Sequence, residues 1–261
     1  MRYEHVLLTG AAGRIGHCLR DGLRDAVRDL RLTDLRPIED LARGETFVQA
    51  DLCDAEAVGR AVAGMQAVVH LGGVPDEAPF EVLEGPNLRG TFNVFDAARR
   101  AGVRRVVYAS SNRITGFYPA SRVLDGNEPV RPDGLYGATK AFGEALGRLY
   151  ADKFGLEVVC VRIGSFEERP SEVRHLTTWL SPADAVRLFT ACLEAPDVGF
   201  ETVYGVSANT RRWWDLEAAA RLGYEPRDDA ELYAAGLPDE DAGSDVQGGR
   251  FARADYGGWA L

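Results

Sequence analysis

Tyr136 and Lys140 stand four residues apart in "LYGATKAFGEALGRLYADKF" (135–154), a run with helical spacing. On a helix that separation puts both side chains on one face. A free tyrosine ionises at about 10 and is a poor base near neutrality, but a neighbouring ammonium favours the phenolate. Two exposed helix residues would give the same spacing by chance. However, Lys140 and Lys153 are the only lysines among 30 basic residues, so a random basic position here would be arginine. Ser111 lies upstream in "RRVVYASS" (104–111), where an apolar run ends in polar side chains. From a strand end its hydroxyl can hydrogen-bond a reacting oxygen.

A second group of residues suits a dinucleotide. "TGAAGRIG" places Gly10, Gly13 and Gly16 directly after an apolar strand and before a helix. Such glycines let the backbone pass close to a pyrophosphate, and the helix then points its first N–H groups at that anion. Asp34 ends the second strand, where a carboxylate accepts from ribose hydroxyls and repels a 2′-phosphate, so NAD is expected over NADP. Arg14 and Arg36 are either surface arginines or a rival hold on a 2′-phosphate. Asp51 reaches the adenine edge or merely caps a helix. Ile15 in the glycine loop, Leu52 beside Asp51, and Leu71 and Gly72 in "HLGG" complete the expected cofactor wall.

The elements around these residues alternate. Strands are predicted at 5–9, 30–34, 46–51, 67–73, 104–111, 156–164 and 201–207. Helices are predicted at about 14–28, 55–64, 87–101, 135–154 and 181–195. Continuous apolar strands separated by helices predict an α/β fold, a Rossmann-type doubly wound parallel sheet of about seven strands. The first six are expected in the order 3-2-1-4-5-6. The whole chain, 1–261, reads as one domain, with substrate-side elements near 165–180 and 208–261. Within the latter, "GLPDEDAGSDVQGGR" (236–250) reads as a loop, and "FARADYGGWAL" carries aromatics suited to docking the C-terminus on the body.

Composition sets the outer bounds. The net charge of −10 argues against nucleic acid and anionic membrane as partners. No run of about 18 apolar residues predicts a membrane span. "HVLLTG" begins without a leader pattern, so a cytoplasmic protein is expected. Cys18, Cys53, Cys160 and Cys192 form no CxxC pair, and the four histidines show no ligand spacing, so reduced thiols and no metal are expected.

The glycine loop, the strand-end serine and YxxxK together resemble the extended short-chain dehydrogenase/reductases, and the likeness covers nearly the whole chain. "HLGG", "ASSN", "GFYP", "RPDGLYG", "RIGS" and "TTWLS" are similar to the uronate dehydrogenases. That resemblance implies NAD-dependent oxidation of the anomeric carbon of a hexuronic acid to an aldaro-lactone. It implies catalytic roles for Ser111, Tyr136 and Lys140, with Tyr136 and Lys140 also touching the cofactor. It implies substrate contacts at Asn112, Ser165 and Arg174; by sequence alone Arg174 would pass for a surface residue. It also implies a homodimer or higher homo-oligomer. Two positions depart from the family: Pro75 stands for a serine and Arg113 for a histidine. Arg113, a permanent cation beside Asn112, is expected to face the sugar and to favour an anionic or oxygen-rich substrate edge.

Three other functions fit parts of this pattern. A dehydrogenase of another sugar or a sugar phosphate would use the same centre. A nucleotide-sugar epimerase or dehydratase would need a larger C-terminal part than the hundred or so residues after the sixth strand. A non-catalytic dinucleotide-binding module has no reason to keep Ser111, Tyr136 and Lys140 together.

Overall fold

Seven parallel strands form the centre of the computed structural model, which describes residues 2–238 and 244–256. They are β1 (His5–Thr9), β2 (Asp29–Thr33), β3 (Glu45–Phe47), β4 (Ala67–His70), β5 (Arg105–Ser111), β6 (Glu157–Ile163) and, after two short strands described below, β9 (Phe200–Gly205). Their order is β3-β2-β1-β4-β5-β6-β9, the expected arrangement with the last strand added beyond β6. Both faces are covered, which explains the unbroken apolar runs. Val6, Leu8, Val107, Ala109, Val159 and Val161 enter one core layer. Leu7, Val68, Val106, Tyr108, Val158 and Cys160 enter the other. Each fully buried Val or Leu contributes about 1.5–3 kcal/mol.

The helices are α1 (Arg14–Leu23), α2 (Ala55–Val62), α3 (Phe80–Leu83), α4 (Gly90–Arg100), α5 (Leu135–Phe154), α6 (His175–Thr178), α7 (Pro182–Glu194) and α8 (Glu217–Arg221). α5 has the expected bounds. α1 stops earlier than expected because the Leu23 carbonyl takes the N–H groups of Ala26 and Val27, turning the chain into β2. The helix expected from residue 87 starts at Phe80 and passes through a π turn, Glu84–Arg89, before α4. Pro86 lies in that turn; it has no N–H to donate, and the wider turn accommodates it. The turn aims Asn87, which bonds Val74 through both backbone groups and Thr139 on α5, tying the loop after β4 to the helix of Tyr136.

Short elements missed by sequence pattern lie on the substrate side: β7 (Ser165–Phe166) pairs with β8 (Trp179–Leu180), and α6 sits between them. The stretch 236–250 is a loop where described except at its ends, where Gly236 closes one 3-10 turn and Gly249–Ala252 forms another; Phe251 and Tyr256 pack inward, and residues 239–243 and Trp259 lie outside the described residues. All four cysteines are free thiols. Among the described residues no helix is long and apolar enough to cross a membrane.

Candidate active site

A cleft of about 730 Å³ runs along the carboxyl ends of β1, β2, β4, β5 and β6, and every site residue expected from the sequence lines it. Such crevices are where parallel α/β sheets bind ligands.

At one end the backbone is shaped for a dinucleotide. Gly10 has φ +67°, and a Cβ there would stand 2.8 Å from the Gly72 nitrogen, so only glycine lets the two loops touch. Gly13 caps α1 without a side-chain acceptor, and the first turn holds no acid. Its leading N–H groups are therefore left for an anion. Asp34 is held by two backbone donors, Ala12 N–H at 3.0 Å and Arg36 N–H at 3.1 Å. These residues fit a dinucleotide. Asp51 is not the cap of α2; Asp54 is, accepting from Glu56 and Ala57. Asp51 accepts from Cys53 N–H and remains on the cleft wall. Arg14 reaches across the cleft to Glu167 and the Phe166 carbonyl. The Arg36 side chain donates to the Ala12 carbonyl.

The reacting centre lies where α5 meets the end of β5. A Cβ on Gly137 would stand 2.6 Å from the Arg113 carbonyl, so this glycine lets the start of α5 press against the segment after Ser111. Tyr136 and Lys140 are both buried, with the Lys140 ammonium 5.7 Å from the tyrosine ring centre and donating to the Ala109 carbonyl at 2.9 Å. Burial pushes the Tyr136 phenol up to about 12, while hydrogen bonding to Ser111 and the charge of Arg113 pull it down. Burial pushes Lys140 down to about 8. Ser110, next to Ser111, has a structural task. Its hydroxyl donates to Glu144 on α5, which is ion-paired with Arg162 on β6. The polar end of β5 thus serves both the cleft and the sheet.

On the substrate side, Asn112, Pro75, Ser165 and Arg174 face the same space. Arg174, partly buried, donates to the Gln247 carbonyl at 3.0 Å and to the Ser165 hydroxyl at 3.3 Å. No carboxylate of the described residues lies within ion-pair distance of it, and burial works against its charge.

Arg113 lines the cleft as expected, yet it is not the free cation that the sequence suggests. Its guanidinium donates to Asp133, to Glu77 at 3.2 Å and to Asp76 at 3.4 Å. The Phe251 ring covers it at 4.2 Å. Its charge is therefore compensated inside the protein.

Glu77 and Asp133 were not singled out in the sequence. Glu77 accepts from Leu135 N–H at 2.7 Å and from Tyr136 N–H at 3.3 Å, so it caps the helix that carries Tyr136. Glu77 is an ordinary acid in a loop far upstream of α5, and nothing local marks it. Asp133 does sit in "RPDGLYG", just before the helix start, which was a usable signal.

A model of the NAD dependent epimerase/dehydratase family matches residues 6–181. The uronate dehydrogenase of Pseudomonas syringae pv. tomato is 43% identical over 256 residues, covering 95% of this chain and 93% of that protein. The NAD-dependent glucose-6-phosphate dehydrogenase of Haloferax volcanii is 41% identical over 263 residues, covering 92% and 99%. The crystal structure of uronate dehydrogenase from Agrobacterium tumefaciens superposes with a TM-score of 0.93 at 42% identity, covering 100% of both chains. With its glycine loop, strand order and tyrosine helix all inside the matched span or continuous with it, the chain belongs to the NAD dependent epimerase/dehydratase family.

Proposed function

We propose that this chain is an NAD-dependent dehydrogenase that oxidises the anomeric carbon of a hexuronic acid, glucuronate or galacturonate, to an aldaro-lactone. One observation carries the choice of substrate. Arg20, Arg105, Arg113 and Arg162 are buried against carboxylates, whereas Arg174 faces the cleft with no carboxylate of the described residues in ion-pair contact, Glu172 and Asp133 acting on its charge only from further off. A guanidinium keeps its charge, so a ligand carboxylate is its natural complement.

The residues then divide the work. Tyr136, as phenolate, takes the proton of the anomeric hydroxyl. Ser111 holds that hydroxyl and by its hydrogen bond favours the phenolate, and Lys140 would contact the nicotinamide ribose. Arg174 and Ser165 hold the substrate carboxylate, and Asn112 the sugar hydroxyls. Gly10, Gly13, Ile15, Gly16, Asp34, Asp51, Leu52, Leu71 and Gly72 would hold NAD, which would supply the hydride acceptor for the same carbon. The oxidised carbon becomes the lactone carbonyl.

The Haloferax volcanii relative raises a sugar phosphate as a second reading. A phosphate dianion calls for more positive charge than a carboxylate. The other arginines on this side are spoken for: Arg113 by three acids, and Arg250 by Glu172 at 2.9 Å. This favours a monoanion.

The test compares glucuronate, glucose 6-phosphate and glucuronamide, the neutral amide of the same sugar. Arg174→Ala should raise KM for glucuronate by roughly 10–150-fold, equivalent to about 1.5–3 kcal/mol for a hydrogen bond to a charged group. Turnover of glucuronamide should change little. If wild type prefers the phosphate, or if the variant handles glucuronate as wild type does, the sugar-acid reading fails.

A homodimer is part of the same proposal. The adjacent helices α4 and α5 leave Phe92, Phe142 and Leu149 exposed. A solution mass near twice 28.4 kDa is expected, and a monomeric mass would refute it.

A further inference from the structure

Resting on the sugar-acid reading, the next question is what aims Arg174. It precedes α6, a four-residue helix that offers its guanidinium one long bond, to the Thr178 hydroxyl at 3.5 Å. Its Nε and one terminal nitrogen both donate to the main-chain carbonyl of Gln247, at 3.3 and 3.0 Å. The other terminal nitrogen donates to Ser165 at 3.3 Å. Of the five guanidinium N–H donors, these bonds leave one terminal N–H over, and Arg174 lines the cleft.

Gln247 belongs to a glycine-rich stretch, yet it is 1% exposed and every polar group on it is used. Its Oε1 accepts from the Trp214 indole N–H at 2.8 Å. Its Nε2 donates to the carbonyls of Arg122 at 2.7 Å and Pro119 at 3.3 Å. Its main-chain N–H donates to the Tyr118 carbonyl at 2.9 Å. Its neighbours are held through the main chain, the Asp245 carbonyl by Ala120 N–H and the Gly248 N–H by the Gly116 carbonyl, both at 2.8 Å, whereas Gln247 also anchors through a buried polar side chain. The side chain fixes the peptide, and the peptide carbonyl fixes the arginine.

We propose that Gln247 is a positioning residue for carboxylate recognition: its buried side chain anchors the C-terminal segment so that its carbonyl orients Arg174 toward the substrate acid. The substrate preference of the cleft is thereby set in part from a segment some seventy residues beyond Arg174.

The test is Gln247→Met, which keeps the length and removes the polar bonds, assayed with glucuronate and glucuronamide at saturating NAD. The ratio of kcat/KM for the acid to that for the amide should fall at least tenfold, mostly through KM for glucuronate. A residue that only stabilises the fold would lower both substrates together, and an unchanged ratio overturns the proposal. In an Arg174→Ala background Gln247→Met should not change the ratio further, because the two act through one interaction. Independent, multiplying losses also overturn it. If Gln247→Met does not fold, Trp214→Phe deletes one of the same bonds and should shift the ratio in the same direction by less; no shift overturns the proposal. A wild-type enzyme with no preference for the acid overturns the sugar-acid reading and the inference with it. A wild-type preference that survives in the variants overturns the inference alone.

Discussion

Replacing Tyr136 by Phe is expected to lower kcat by about a thousandfold or more while NAD binds nearly as well as before. The expectation follows from how the side chain is held. The ring is buried between the start of α5 and the end of β5, so removing the hydroxyl leaves the packing almost unchanged. What disappears is the hydroxyl beside Ser111 that is proposed to accept the substrate proton. A positioned general base is worth about 10²–10⁴ in rate. The glycine loop and Asp34, proposed to seat the dinucleotide, lie between β1 and α1 and just after β2, away from the start of α5 that carries Tyr136. Burial, only partly offset by the Ser111 hydrogen bond and the Arg113 charge, pushes the phenol up to about 12. Ionisation of Tyr136 should therefore appear as a limb of rising activity with increasing pH, on the alkaline side of neutrality. Fluorescence titration of NAD and steady-state kinetics would check both parts. A variant within tenfold of wild type would remove Tyr136 from the mechanism.

What could be read from the sequence followed from short-range rules. The glycine loop after β1, the acid ending β2 and the Tyr136–Lys140 spacing are each set within one element or one turn. Helix α5 was legible to its ends because Gly155, in the left-handed region at φ +70°, closes it. The strand order followed from handed crossovers between parallel strands. The π turn before α4 was not legible, since Pro86 argues for a helix start where the chain instead widens a helix already begun. β7 and β8 are two residues each, too short for any periodicity. The charge state of the cleft was the least legible feature. Arg113 and Arg174 look alike in sequence, both in polar stretches. Only the approach of Glu77, Asp76 and Asp133 to one of them, and of the Gln247 carbonyl to the other, separates a structural cation from one facing a ligand.

That separation gives the largest stability effect. Arg113→Ala should destabilise the protein by about 3–5 kcal/mol, the cost of removing one partner from a buried ion pair. Asp133 and Glu77 have side chains 0% and 3% exposed and would both lose their cation. At roughly 2–4 °C per kcal/mol for a chain near this size, the melting temperature should drop by about 10 °C. The loss should depend on pH in a definite direction. Burial already pushes Asp133 up to about 6 against the pull of Arg113. A carboxyl whose folded pKa lies above its unfolded value, about 3.9, binds its proton more tightly in the folded state. Stability then falls as pH rises through that window. Without Arg113 the folded pKa rises further and the window extends upward, so the gap between wild type and variant should widen from pH 5 to pH 8. Arg113→Lys keeps the charge but not the fork that serves three acids, and should fall between the two. Because Glu77 also caps α5 at Tyr136, kcat in Arg113→Ala should fall even where the protein remains folded. Thermal melts at pH 5, 6.5 and 8 decide the matter: a drop under 2 °C at every pH would mean that the three acids do not depend on Arg113, and that its side chain is available to the substrate after all.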